Sequence, residues 1–142
     1  MIRKLSLIAA SVALLASCAH RNQTKNSDSM ELVQTWDKTF KASDKVCHCK
    51  VTFKNQYGIT LAGDLYVPKL DSAKQNVYPA IAVSGPFGAV KEQCSGLYAQ
   101  TMAERGFVAL AFDPSFTGES SGEPRRTASP DINSEDFFSA VD

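Results

Sequence analysis

The 142-residue sequence predicts an α/β fold in which an antiparallel hairpin feeds a parallel β-α-β unit. Three observations predict it. Two alternating stretches, "VCHCKVTFK" at 46–54 and "ITLAGDLYVP" at 59–68, flank the turn "NQYG" and have the period of half-buried strands in a hairpin. Two short unbroken apolar runs, "PAIAVSG" at 79–85 and "FVALAF" at 107–112, have the pattern of strands covered on both faces. Between those runs lies a segment of helical spacing, and strand, helix, strand with apolar strands makes a parallel crossover.

The elements follow in order. "MIRK" supplies a positive start and "LSLIAASVALL" an apolar run of eleven, too short to span a bilayer and of the length of a secretory signal. "LASC" then resembles the lipobox of bacterial lipoproteins, which makes Cys18 the expected lipidation site and residues 1–18 the signal peptide. Cleavage by an ordinary signal peptidase near Ala19 is the alternative. The resemblance implies a cell-envelope lipoprotein held at a membrane surface, on the outer membrane given Ala19 after the Cys, or periplasmic if it is not lipidated. Residues 19–43 read as a polar linker turning faintly amphipathic from 30 to 40, where a short helix is expected. The domain proper is 44–142.

In the first strand Cys47, Cys49, Val51 and Phe53 alternate with His48, Lys50, Thr52 and Lys54. The alternation sends His48 to the face opposite the two thiols, so the three do not converge on one metal ion. Cys47 and Cys49 are expected to be buried as small hydrophobes. A disulfide from Cys94 to either of them stays open at this stage. Gly58 turns the hairpin and Pro68 ends it. In "AVKEQCSGLYAQTMAERG", Val90, Cys94, Leu97, Tyr98 and Met102 share a helix face, expected to point inward, and Gly106 is the stop. A last helix is expected from Asp131 or Asn133, with Phe137, Phe138 and Val141 on one side.

With these elements in place, "VTFKNQYGITLAGDLYVP", "PAIAVSGPFGAVKEQCSGLYAQTMAERGFVALAFDPSFTGESSGEPR" and "SPDINSEDFFSAVD" together resemble the N-terminal half of a bacterial α/β-hydrolase of the dienelactone-hydrolase-like group. The resemblance spans nearly all of 46–142, and its most specific part is "SGPFGAVKEQ" combined with "AFDPSFTGESSGEPR". It implies the N-terminal portion of a three-layer α/β-hydrolase fold. It also implies that "SGPFG" is the oxyanion loop, with Gly85, Phe87 and Gly88 as its residues. Pro86, in the position that would donate first, has no N–H. The stretch 113–120 is similar to an Asp-x-Arg-Gly-x-Gly-x-Ser loop, with Asp113, Gly118 and Ser120 matching and Ser115 and Phe116 standing where relatives carry Arg and Gly.

"GESSG" at 118–122 has the letters of a nucleophile elbow, yet Ser120 lies eight residues past Phe112, and the two prolines that follow, Pro124 and Pro130, exclude an immediate helix start. The fold orders its triad as nucleophile, acid, His, and the only histidines, His20 and His48, precede Ser120. Ser120 is therefore rejected as the nucleophile, and the resemblance places nucleophile, acid and His beyond Asp142.

Composition narrows the rest. Fifteen basic residues balance fifteen acidic ones without a basic cluster, which argues against a nucleic-acid partner. The functional reading is an acyl hydrolase acting on a small ester-like substrate in a full-length relative, without metal or organic cofactor, and inactive as this chain alone. The rival readings are a noncatalytic envelope lipoprotein that uses the half-fold as a binding or structural module, and a small metal or thiol protein acting through Cys47, His48 and Cys49.

Overall fold

The computed structural model describes residues 32–33, 35–69 and 77–142; Cys18 and the predicted leader lie outside them. Among the described residues, four strands form one sheet. β1 (Val46–Lys54) and β2 (Thr60–Pro68) make the expected antiparallel hairpin, with Cys49 opposite Leu65 and Val51 opposite Gly63. Asn55 shapes its turn, since its Oδ1 accepts the N–H groups of Tyr57 and Ile59 at 3.0 Å each. β3 (Ala80–Val83), helix α1 (Cys94–Glu104) and β4 (Val108–Phe112) form the crossover, and β3 and β4 are parallel. The strand order is β1-β2-β4-β3, with β2 and β4 antiparallel, so β3 stands at one edge. Helix α2 (Pro130–Val141) starts one residue before the earliest expected start, with its proline in the first turn where no N–H is needed.

Register and alternation define two faces. Val46, His48, Lys50, Ala62, Asp64, Tyr66, Ile81, Val83, Ala109 and Ala111 share the face that α1 covers, and the core gathers there from Val46, Tyr66, Ala99, Ala103, Ala109 and Ala111 with Phe40 and Met102 packed against it. Cys47, Cys49, Leu65, Leu110 and Ala82 share the other face, which α2 covers at one end by stacking Phe137 edge-on against Phe112, itself edge-on to Phe53.

Three expectations are corrected here. Cys47 is exposed and Cys49 half-buried, and Cys47 and Cys94 are free thiols. The better-buried side of this part of β1 is the one carrying His48 and Lys50, because charged partners reach them there. Alternation reveals that a strand has two faces; which one is inner depends on what packs on each.

The inward face of α1 is also not the large-residue face. Ser95, Gly96, Ala99, Gln100 and Ala103 are buried, while Cys94, Leu97 and Tyr98 point outward. The helix lies so close to its surroundings that a Cβ on Gly96 would collide with the Lys91 carbonyl and sit 3.1 Å from Phe40 and 3.2 Å from the Tyr66 hydroxyl. Small residues permit that approach. Finally, residues 35–43 form no helix. Their polar groups are engaged elsewhere: the Thr39 N–H donates to the Glu92 carbonyl (3.0 Å), the Ser43 N–H to Gln100 Oε1 (3.1 Å), and the Lys41 carbonyl accepts from Gln100 Nε2 (3.0 Å).

The close approach at Gly96 gives a direct test. Gly96→Ala gains about 1 kcal/mol of intrinsic helix propensity, yet the clash is with backbone that cannot swing aside, and overpacking of this kind costs about 1–3 kcal/mol. Urea unfolding should show a net loss of stability; a gain would mean that α1 does not sit this close.

Candidate functional site

Because β3 and β4 are parallel, both end at the same side of the sheet, and the loops leaving them face each other across a cleft. One wall is residues 85–89, the other Pro114 and Thr117, with Thr127, Ala128 and Asn133 of the α2 approach closing the end. Crevices at the carboxyl ends of parallel strands are where α/β sheets bind ligands.

The wall at 85–89 is a turn closed by the Ala89 N–H donating to the Pro86 carbonyl at 3.0 Å. Gly88 takes φ +84°, the left-handed conformation that suits glycine. The three residues expected from the sequence, Gly85, Phe87 and Gly88, thus line the cleft together. Among the described residues the N–H groups of Phe87 and Gly88 have no hydrogen-bond partner, and the Phe87 ring is exposed. Two neighbouring free amide N–H groups in a concave wall are the kind of donor set that stabilises a developing oxyanion.

The opposite wall is built on Asp113. Its buried carboxylate accepts the Lys91 N–H (2.8 Å), the Lys91 ammonium (2.9 Å) and the Glu119 N–H (2.9 Å), tying the two walls together. Gly118, at φ +52°, is required beside it, since a Cβ there would overlap the Asp113 carboxylate. Ser120 is buried, and its Oγ donates to the Asp113 carbonyl (2.6 Å) and accepts from the Ala62 N–H (2.9 Å). Its hydroxyl therefore stitches the loop to β2, with no histidine among its partners in the described residues. Ser121 continues the stitch: its N–H donates to the Thr60 carbonyl (2.8 Å) and its Oγ accepts from the Thr60 N–H (2.9 Å). Arg125 closes the loop from outside by donating to the carbonyls of Gly118, Ser120 and Gly122. Phe116 adopts a left-handed φ of +72°, and its ring is buried against Gly122. Burying a Phe gains about 1.5–3 kcal/mol, enough to offset the roughly 1–2 kcal/mol cost of that conformation.

Sequence reasoning missed two groups. Asp136 of α2 is fully buried and accepts the Ser115 N–H, the Ser115 hydroxyl and the Asn55 amide, each at 2.8 Å, so the helix, the loop and the hairpin turn meet at one carboxylate. The second is a ladder of buried ammonium groups under residues 35–43. Lys91 contacts Glu92 (2.5 Å), Asp113 (2.9 Å) and Glu119 (2.6 Å); Lys50 contacts Asp37 (2.9 Å) and Glu119 (2.8 Å); Lys38 contacts Asp37 (2.6 Å) and Asp64 (3.0 Å). The His48 Nε2 lies 2.8 Å from Asp64 Oδ1, and the ring sits between Trp36 and Tyr66. Asp37, Glu92 and Glu119 have carboxylates close enough to share a metal ion, but the Lys50 Nζ already lies within 3.6 Å of all three. The one sequence signal for the ladder was that "KVCHCKV" puts Lys50 and His48 on the same strand face.

Burial opposes ionisation of Glu119 most, yet hydrogen bonds from Lys50, Lys91 and the Val33 N–H outweigh it and hold its pKa at about 2. The Asp37 pKa is lowered to about 2 in the same way, burial being overcome by Lys38 and Lys50. Burial also disfavours the charged form of Lys91, and the Asp113 charge with the three carboxylate hydrogen bonds more than reverses it, so Lys91 stays an ammonium above the ordinary lysine range.

With this geometry in place, comparison with known proteins is informative. No protein-family model matches the sequence. The chain is 69% identical over 113 residues to uncharacterized protein PA2218 of Pseudomonas aeruginosa, covering 80% of this chain and 30% of that one. To thiohydrolase aneE of Aspergillus aculeatus it is 33% identical over 101 residues, 71% of this chain and 30% of the other. The crystal structure of PA2218 superposes with a TM-score of 0.75 at 67% identity, over 80% of this chain and 35% of that one. The α/β-hydrolase GrgF from Penicillium superposes with a TM-score of 0.57 at 29% identity, over 67% and 31%. The chain carries part of an α/β-hydrolase fold. It spans about a third of the length of these relatives.

The two lowered carboxylates fix a pH dependence. Groups depressed in the folded state stabilise it above their unfolded values, 3.8 for Asp37 and 4.5 for Glu119, and that stability is lost as pH falls towards about 2. Urea midpoints should therefore drop steeply over this acid range, less steeply in Asp37→Asn; equal slopes for the two proteins would exclude Asp37 as a contributor.

Proposed function

We propose that the chain is the N-terminal part of an exported acyl hydrolase, supplying the oxyanion wall of its cleft, with nucleophile, acid and histidine contributed by polypeptide beyond Asp142. The observation that carries the reading is the pair of unpartnered N–H groups of Phe87 and Gly88 in a cleft at the ends of parallel strands. The engagement of Ser120 in two structural hydrogen bonds supports placing the nucleophile elsewhere. The surface supports further packing: β3 is an edge strand, Leu97, Tyr98, Phe138 and Val141 are exposed, and Leu65, Leu110 and Ala82 on the α2 side of the sheet are only half-buried. The substrate would be a small ester or related acyl compound, attacked without a cofactor. With a lipidated Cys18 the protein would be held at the surface of the outer membrane, two or more acyl chains making the attachment stable.

The catalytic part is tested with p-nitrophenyl acetate. The 142-residue chain alone should not accelerate hydrolysis, whereas a chimera joining it to the remaining two thirds of the PA2218 protein should, and truncating the exposed Phe87 to Ala should leave most of that rate because its N–H is kept. A Ser120-dependent rate in the chain alone would reverse the reading. A monodisperse chain with a sharp unfolding transition and an inactive chimera would favour the noncatalytic module instead.

The envelope part is tested separately. Cys18→Ser should abolish labelling by radioactive palmitate in a bacterial host and leave a longer precursor. Labelling that survives the substitution would exclude Cys18 as the lipidation site.

A further inference from the structure

Residues 35–43 lie across the end of α1 as an irregular strap, and what they hold is more specific than a surface. The Thr39 N–H and hydroxyl both donate to one carbonyl, that of Glu92, at 3.0 and 3.2 Å. Asp37 lies between Lys38 and Lys50, and Lys50 in turn reaches Glu119. Gln100, buried in α1, grips the strap backbone twice, through the Lys41 carbonyl and the Ser43 N–H. Trp36 lies edge-on to His48 and donates its Nε1–H to the Phe40 carbonyl at 2.8 Å.

Glu92 is the next residue to Lys91, and Lys91 is the group that ties the 85–89 wall to Asp113 and Glu119 in the opposite wall. From these contacts we infer that the strap is a positioning element for the cleft: Thr39 and Asp37 hold the turn 91–93, and through Lys91 they set the spacing between the two loops. The path is short and made of direct contacts throughout: Thr39 to Glu92, Glu92 to Lys91, Lys91 to Asp113, and in parallel Asp37 to Lys50 to Glu119. Residues upstream of the domain thus act on the wall that carries Phe87 and Gly88. The inference deepens the reading of the cleft given above and rests on it for the cleft's use, but its test reads geometry and needs no turnover.

The test uses the full chain, with Trp36, its only tryptophan, reporting strap docking by its emission maximum and amide hydrogen exchange by NMR reporting the loops. The informative amides are those of Ala89, Lys91 and Gln93, which donate to the Pro86 carbonyl, Asp113 and the Val90 carbonyl. In Asp37→Asn, and more mildly in Thr39→Val, Trp36 emission should move to the red. The three amides should exchange roughly three- to tenfold faster, the range set by the loss of one hydrogen bond, while the β1–β2 hairpin amides keep their rates. Thr39→Ser, which keeps the hydroxyl, should restore the wild-type rates. Three results would each overturn the inference: a red shift with unchanged exchange at 89–93, an equal rise of exchange throughout the hairpin, or no change in Trp36 emission in either variant. A failed esterase chimera would leave all of these readouts in place.

Discussion

The structure depends most on one buried ion pair, Lys91 with Asp113. Both side chains are fully buried, and each is a junction: Asp113 takes the main chain and side chain of Lys91 and the main chain of Glu119, while Lys91 also takes Glu92 and Glu119. Breaking such a pair leaves an uncompensated charge in the interior and costs about 3–5 kcal/mol, although an apolar replacement of both partners can be neutral. The pair is therefore poorly explained as a source of stability alone. It is well explained as a gauge that fixes the distance between the loops leaving β3 and β4, which apolar packing would leave free to slide.

The constraint propagates outward in both directions. Towards the loop, the Asp113 carboxylate forces Gly118, and the chain then turns back so that Ser120 and Ser121 bond to β2. The same turn puts Ser115 against Asp136 and fastens α2. Towards the N-terminal side, Glu92 and Glu119, which balance Lys91, share a second cation in Lys50, and Lys50 also takes Asp37, through which the strap and its Lys38 enter the fold. A fold whose inner sheet face carries His48, Lys50 and Asp64 has to bring charge partners to that face. It uses the nine irregular residues 35–43 where a helix would have offered its side chains on one stripe only.

This explains what could be read from the sequence and what could not. Strand positions, the hairpin, the parallel crossover and the glycine loop were legible, because each is announced locally by alternation, apolar runs or glycine. The residues of the cleft wall, Gly85, Phe87 and Gly88, were legible from the motif around them, and they do come together. Cys47 misled because β1 has two nearly equivalent faces and the decision between them is made by Lys38 and Asp64, which are distant in sequence from it or belong to another element. Leu97 and Tyr98 misled because size was read as a sign of burial, whereas α1 packs through Gly96, Ala99 and Ala103. The strap misled because its conformation is set by Glu92 and Gln100, more than fifty residues away.

The two faces of the sheet are therefore stabilised by different physics, and the difference bears on the site. The α1 face combines a small-residue core with directional charge contacts, so its geometry is fixed by angles and distances, and the cleft loops inherit that precision through Lys91. The α2 face is apolar and, among the described residues, covered at one end, by Phe137 on Phe112, with Cys49, Leu65, Leu110 and Ala82 half-buried. Apolar surface of that kind gains about 25 cal/mol for each Å² removed from water, without directional preference. It can accept added layers without specifying the cleft, whereas the charged face specifies the cleft without needing them. The wall that carries Phe87 and Gly88 is thus held from the α1 side of the sheet.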